Sequence, residues 1–142
     1  MQKIILFSLA IILAVTVSAK KEKEAKQPQG PKVQALYLYG VSSSFNDSIV
    51  YITDIQKVDS AYLSSKYCLG GIKEYVYQMN SHFNKTPDSR RTNTVFFKKD
   101  RRKAEKAYVK LRKRYAKQKI ELTPVAEGDF KFKSVLPSSD DK

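Results

Sequence analysis

Residues 100–117 read DRRKAEKAYVKLRKRYAK, a spacing that suits an amphipathic helix and no other regular structure. At about 100° per residue, Ala104, Tyr108, Leu111 and Tyr115 fall within roughly 60° of arc and make one apolar seam. Arg102, Lys106, Lys110, Lys113 and Lys117 fall on the opposite side. Asp100 stands at the N-cap, where a carboxylate accepts free backbone N–H groups and faces the helix dipole favourably. A helix with a single apolar seam needs a partner to cover that seam, so the rest of the chain must supply an apolar surface.

The rest of the chain supplies it in short pieces. Val33–Ser42 is rich in Val, Leu and Tyr and predicts a strand. Ser43–Asp47 is a polar turn, and Ser48–Val58 predicts a second strand, making a hairpin with the first. Asp59–Gly71 shows no clear period, and Gly70-Gly71 argues against a helix through it. Ile72, Tyr75, Val76, Met79 and Phe83 recur at three-to-four-residue intervals, predicting a first helix that Pro87 stops. Thr92–Lys98 predicts a third strand and Ile120–Val125 a fourth. In Phe130–Val135 apolar residues alternate with lysines, as on an edge strand with one wet face. The expected order is β-β-α-β-α-β with a short terminal strand. The expected class is α+β: a two-layer sandwich in which both helices cover one face of a small mixed sheet.

The ends differ from this body. Met1–Ala19, MQKIILFSLAIILAVTVSA, has an early lysine, an apolar run and small residues at its close. That is the pattern of a secretory signal peptide, and its apolar run is shorter than the ~20 residues of a membrane span. Lys20 rather than Cys follows the expected cleavage point, which argues against lipid anchoring. Residues 20–32 are charged and proline-bearing and predict a flexible basic linker. Residues 33–136 form one expected domain, and 137–142 a disordered tail. The expected location is periplasmic or extracellular.

Charge is concentrated. Residues 85–119 carry fifteen Lys or Arg against three acids, a net +12, while the whole 142-residue chain is +13. Like charges at four-residue spacing oppose helix formation slightly, so the stripe is a small local penalty. A face of this kind speeds association with anions and makes affinity salt-sensitive. Expected partners are an anionic envelope polymer, a lipid headgroup or an acidic protein. Specific nucleic-acid binding is disfavoured, because no aromatic residue interleaves with the stripe to stack bases. The competing reading is a solvated face that keeps the protein soluble, with long cationic stems covering apolar surface.

Chemistry has few footholds. One Cys excludes an internal disulfide, and one His excludes a multi-histidine metal centre within the chain. There is no phosphate-loop, calcium-loop or metal-spacing motif, so no metal, cofactor or catalytic residue is expected. A hydrolase would have to bring His82 to Cys68 or to a carboxylate among Asp54, Asp59 and Glu74. Cys68 lies between apolar neighbours and is expected to be buried. Asn46-Asp47-Ser48 and Asn84-Lys85-Thr86 match the N-glycosylation triplet. Ser48 and Ser60 follow Asp and precede an apolar residue, an O-glycosylation pattern. Tyr37, Tyr39 and Tyr51 on the hairpin make an alternative working surface for a structural envelope component.

The segments YGVSSSFNDSIVYITDIQKVDS, FFKKDRRKAEKAYVKLRKRY and DFKFK resemble small exported bacterial proteins of uncharacterised function. The resemblance spans most of the chain after residue 20 and implies export, not an activity. The Tyr-rich hairpin resembles GIY-YIG nucleases more distantly, without their GIY and YIG triplets. Thr92–Val125 resembles half of a peptidoglycan-binding SPOR domain, without that family's repeated βαβ order.

Overall fold

β1, Val33–Ser44, is the strand on which the domain is arranged. In the computed structural model, residues 31–86 and 89–138 are described. The expected signal peptide, all but the last two residues of the expected linker, Pro87 and residues 139–142 lie outside the described residues.

β1 is apolar on alternate residues to both sides, so it needs cover on both faces and partners on both edges. One edge carries β2, Val50–Thr53, and then β3, Gln56–Ser65, both antiparallel to β1. The other edge carries β5, Arg91–Lys98, antiparallel over eight paired positions. β4, Cys68–Leu69, pairs with β3, and β6, Leu122–Val125, runs parallel to β2. The expected hairpin is present: Val41 pairs with Ile52 and Ser42 with Tyr51. Its second arm is longer than expected and is interrupted twice. From Val41↔Ile52 to Leu38↔Gln56, one extra residue enters the β2–β3 arm. There the Gly40 N–H turns to the Thr53 hydroxyl at 2.9 Å, and the Asp54 N–H to the Val125 carbonyl at 3.0 Å. A second extra residue lies between Val58 and Ala61, opposite Gln34 and Leu36. This bulge lets Asp59 and Ser60 both face water before Ala61 and Tyr62 return to the core.

The two helices are α1, Ile72–Phe83, and α2, Arg101–Lys117. α1 starts on Gly71, whose φ of 65° is left-handed and suits glycine. It ends at Asn84 rather than being carried on to Pro87, because the Asn84 side chain leaves to bind β5. α2 is capped as expected, with the Lys103 N–H donating to the Asp100 carboxylate at 3.1 Å.

The α+β class and the mixed sheet are as expected, but the placement of the helices is not. Leu36, Leu38 and Val95 share one core with Tyr75 and Met79 of α1. Val41, Val50 and Ile52 form another, against Tyr108, Leu111 and Tyr115 of α2. Neighbouring residues of a strand point to opposite faces, so the helices cover opposite faces and the layers number three. Strand direction explains this. β2, β3, β5 and β6 all run against β1, so β3–α1–β5 and β5–α2–β6 are both crossovers between parallel strands. The first passes over β1 one way and the second returns over β1 and β2. Two crossovers of one hand running in opposite directions must put their helices on opposite faces.

The expected edge strand at Phe130–Val135 is also absent. Phe130 and Phe132 are buried against α1, and Lys131 and Lys133 face water, as the alternation implies. The backbone bonds, however, are made by side chains. Buried Gln56 donates to the Phe130 carbonyl and accepts the Phe132 N–H, both at 2.7 Å. Gln78 of α1 does the same for Lys133 at 3.0 and 2.8 Å. Two carboxamides thus satisfy peptide groups that a neighbouring strand would otherwise take.

Candidate anion-binding face

α2 is held by aromatic packing. The Tyr39 ring stacks on Phe96 at 5.1 Å and meets Tyr108 edge-on at 5.2 Å. Ala104 is fully buried, and Tyr108, Leu111 and Tyr115 are half-buried on the second core. Burial pushes the phenols of Tyr39 and Tyr108 above their ordinary range, so they remain neutral and offer no counter-charge.

With the seam fixed, the opposite side of the helix is set by geometry alone. Arg102, Lys106, Lys110, Lys113 and Lys117 are all exposed. Among the described residues, none of the five makes an ion pair. Glu105 is the helix's own acid, and it pairs with Arg101 at 2.9 Å, outside the stripe; its hydrogen bond raises the Arg101 pKa. The charge of the stripe is therefore turned to solvent along four helical turns.

One cation counted with this segment has a different role. Arg91 is buried, and its guanidinium donates to the Ser42 hydroxyl (3.0 Å), the Ser42 carbonyl (3.2 Å), the Ile49 carbonyl and the Asp47 carboxylate (2.8 Å). It also lies 4.7 Å over the Tyr51 ring. Arg91 is a clamp for the β1–β2 turn and contributes nothing to the exposed face. Its signal in the sequence was positional: it occupies the same side of β5 as Asn93, Val95 and Phe97, which faces α1.

Between α2 and the outer edge of β5 lies an open cavity of about 360 Å³. Its floor includes Phe96, Ala107 and Leu111, and its rim carries Lys98, Lys110 and Arg114, with no acid in the lining. The sequence places Lys110 in the stripe and Arg114 beside it but gives no sign of Lys98, because the groove exists only when β5 lies beside α2.

The other candidates fall apart or move. Cys68 is exposed on β4, not buried, since the two-residue strand at the margin of β3 turns its side chain out. His82 lies at the end of α1 against Phe83 and Phe130, with ring centroids at 4.8 and 5.1 Å. The cavity beside it is lined by Tyr51, Lys85 and Asp129 among others, and Cys68 is not one of them. Burial lowers the His82 pKa, assisted by Lys85 and opposed by Asp129. Asp59 pairs with Lys57 at 2.9 Å, and Glu74 lies in the first turn of α1. Among the described residues, no group of three His, Cys, Asp or Glu side chains is placed to hold a metal. Ser48 and Ser60 are both exposed, in the β1–β2 turn and at the β3 bulge. Asn84 is engaged: its carboxamide binds the N–H and carbonyl of Arg91 and the Asn80 side chain. The hairpin tyrosines form no shared surface. Tyr39 is buried under α2, while Tyr51 packs against Phe83 on the other face.

No helix among the described residues is long and apolar enough to cross a membrane. No family model, curated protein or solved structure matches the chain.

Proposed function

We propose that this protein is an exported, non-catalytic binding module that holds an anionic envelope or extracellular partner on the outer face of α2. The observation that carries this reading is the stripe Arg102, Lys106, Lys110, Lys113 and Lys117, all five exposed and without an ion pair among the described residues, while its helix is anchored from behind. The leader-like Met1–Ala19 supports export. A rigid row of cations attracts polyanions at long range and binds them with release of counterions.

The test is retention on dextran sulfate at rising salt. The native protein should elute late, with log affinity falling against log salt with a slope of roughly −3 to −5, about one unit per neutralised contact. A variant carrying Arg102→Glu, Lys106→Glu, Lys110→Glu and Lys113→Glu should be folded by circular dichroism yet run through the column. Undiminished retention of that variant would remove the reading.

A further inference from the structure

The groove beside α2 has a second wall that is not a side-chain surface at all. It is the free edge of β5, and the hydrogen bonds around it determine which of its groups are unused. The Arg91 N–H donates to the Asn84 side chain at 2.7 Å, and the Arg91 carbonyl accepts from the same carboxamide at 3.3 Å. Arg91 therefore points its backbone groups away from β1. In an antiparallel pair this orientation alternates, so Asn93, Val95 and Phe97 point outward as well. The partner strand gives the same parity independently. Gly40 pairs with Val95, and its N–H is turned to Thr53 on the opposite edge of β1. β5 has no strand beyond it among the described residues. Asn84 thus occupies the first place on this edge much as a residue of a further strand would; among the described residues no strand takes the three places after it, where Phe97 is half-buried and Asn93 and Val95 keep 9% and 6% of their surface in solvent.

We infer that the outer edge of β5 accepts an extended acidic segment of another protein as an added strand, seated between Asn93–Phe97 and α2. This rests on the reading of α2 as an anion-binding face and names the partner's class. Strand addition draws affinity from backbone hydrogen bonds and specificity from pockets for alternate side chains. Here the backbone groups are those of Asn93, Val95 and Phe97. The floor is Phe96, Ala107 and Leu111, and the rim is Lys98, Lys110 and Arg114. Side chains of an added strand alternate between the α2 side and the α1 side. The fitting segment is therefore about five residues long and reads acid, any, apolar, any, acid, with the first, third and fifth facing α2.

The chemistry selects this occupant over others. A phosphate or sulfate polymer would satisfy the three cations but brings no regular row of donors for the outward carbonyls. A second copy of the chain would pair β5 with β5 and set two α2 helices near each other, each with nine cations and one acid. That arrangement is opposed by charge.

The experiment uses the ¹⁵N-labelled protein and an acetylated, amidated peptide Thr-Asp-Thr-Val-Thr-Asp-Thr, with two N-methylated forms. One form is methylated on the Asp and Val nitrogens, the other on the inner Thr nitrogens. Backbone amides of Asn93, Val95 and Phe97 should shift and gain protection from exchange on titration, while those of Thr92 and Thr94 should not. One methylated peptide should bind at least tenfold more weakly than the parent and the other nearly as well, because only alternate nitrogens face β5. Arg114→Glu should weaken the parent peptide about tenfold, as for loss of one close charge pair. Equal binding of all three peptides would mean charge attraction without strand addition and would overturn the inference. So would peptide binding that shifts α2 amides alone, or a β5-mediated dimer in light scattering. Dextran sulfate retention is run on the same sample. Retention without peptide binding sinks this inference and leaves the anion-binding face standing, and loss of both sinks both.

Discussion

Arg91 offers the sharpest test of how this domain is held together. Its side chain is 4% exposed and reaches two carbonyls, one hydroxyl and one carboxylate across 42 to 49 residues of sequence. Removing one partner of a buried ion pair costs about 3–5 kcal/mol, because the remaining group is left uncompensated. Asp47 is 38% exposed and can rehydrate, which moves the expectation for Arg91→Ala to the lower end, about 3 kcal/mol. The hydroxyl and carbonyl of fully buried Ser42 have no such recourse, which keeps the loss from falling much further. That is a large part of the ~5–15 kcal/mol a domain of this size possesses. Arg91→Lys retains the charge but not the fork, and should lose about half as much. The assay is urea unfolding followed by tyrosine fluorescence, comparing midpoints at constant m. A double-mutant cycle with Asp47→Ala should return a coupling of about 1–2 kcal/mol, since the residues share one network. An Arg91→Ala loss under about 1 kcal/mol would refute the clamp and with it the argument that Arg91 does not belong to the exposed cationic face of α2. Dextran sulfate retention of folded Arg91→Ala should match the native protein, because the lost cation never faced solvent.

Two other consequences are independent of this one. Gln56→Leu removes the carboxamide that pairs with Phe130 and Phe132, leaving a buried N–H and carbonyl unpaired at a cost of about 2–4 kcal/mol. Amide exchange at Phe132 should accelerate in that variant before exchange in β1 does. His82 has a pKa held below its ordinary value of 6.5, so between that value and the depressed folded one the unfolded chain binds more protons than the folded one. Its contribution is present above pH about 6.5 and is lost as pH falls through the depressed folded value. Thermal melts should show stability declining on acidification, and His82→Gln should flatten that slope. An unaltered slope would mean another group is responsible.

Much of the fold was legible because its residues repeat with the period of the element they form. α2 is the clearest case: one seam, one cap and one stripe, each found where its spacing put it. The hairpin and β5 were legible for the same reason. Asp59–Ser65 was not, because the bulge in β3 puts Asp59 and Ser60 side by side in water and breaks the period of two. Phe130–Val135 kept its period and still misled. Alternation reports which residues are buried, and it says nothing of whether a strand or a glutamine side chain meets the backbone.

The exposed stripe on α2 belongs to the sequence alone: once Ala104, Tyr108, Leu111 and Tyr115 are buried, helical geometry leaves Arg102, Lys106, Lys110, Lys113 and Lys117 nowhere to face but outward. Which face of the sheet α2 covers, which cations stand beside the outer edge of β5, and that Arg91 is spent inside were decided by strand direction. Those facts depend on pairings between residues tens of positions apart, and local spacing carries no record of them.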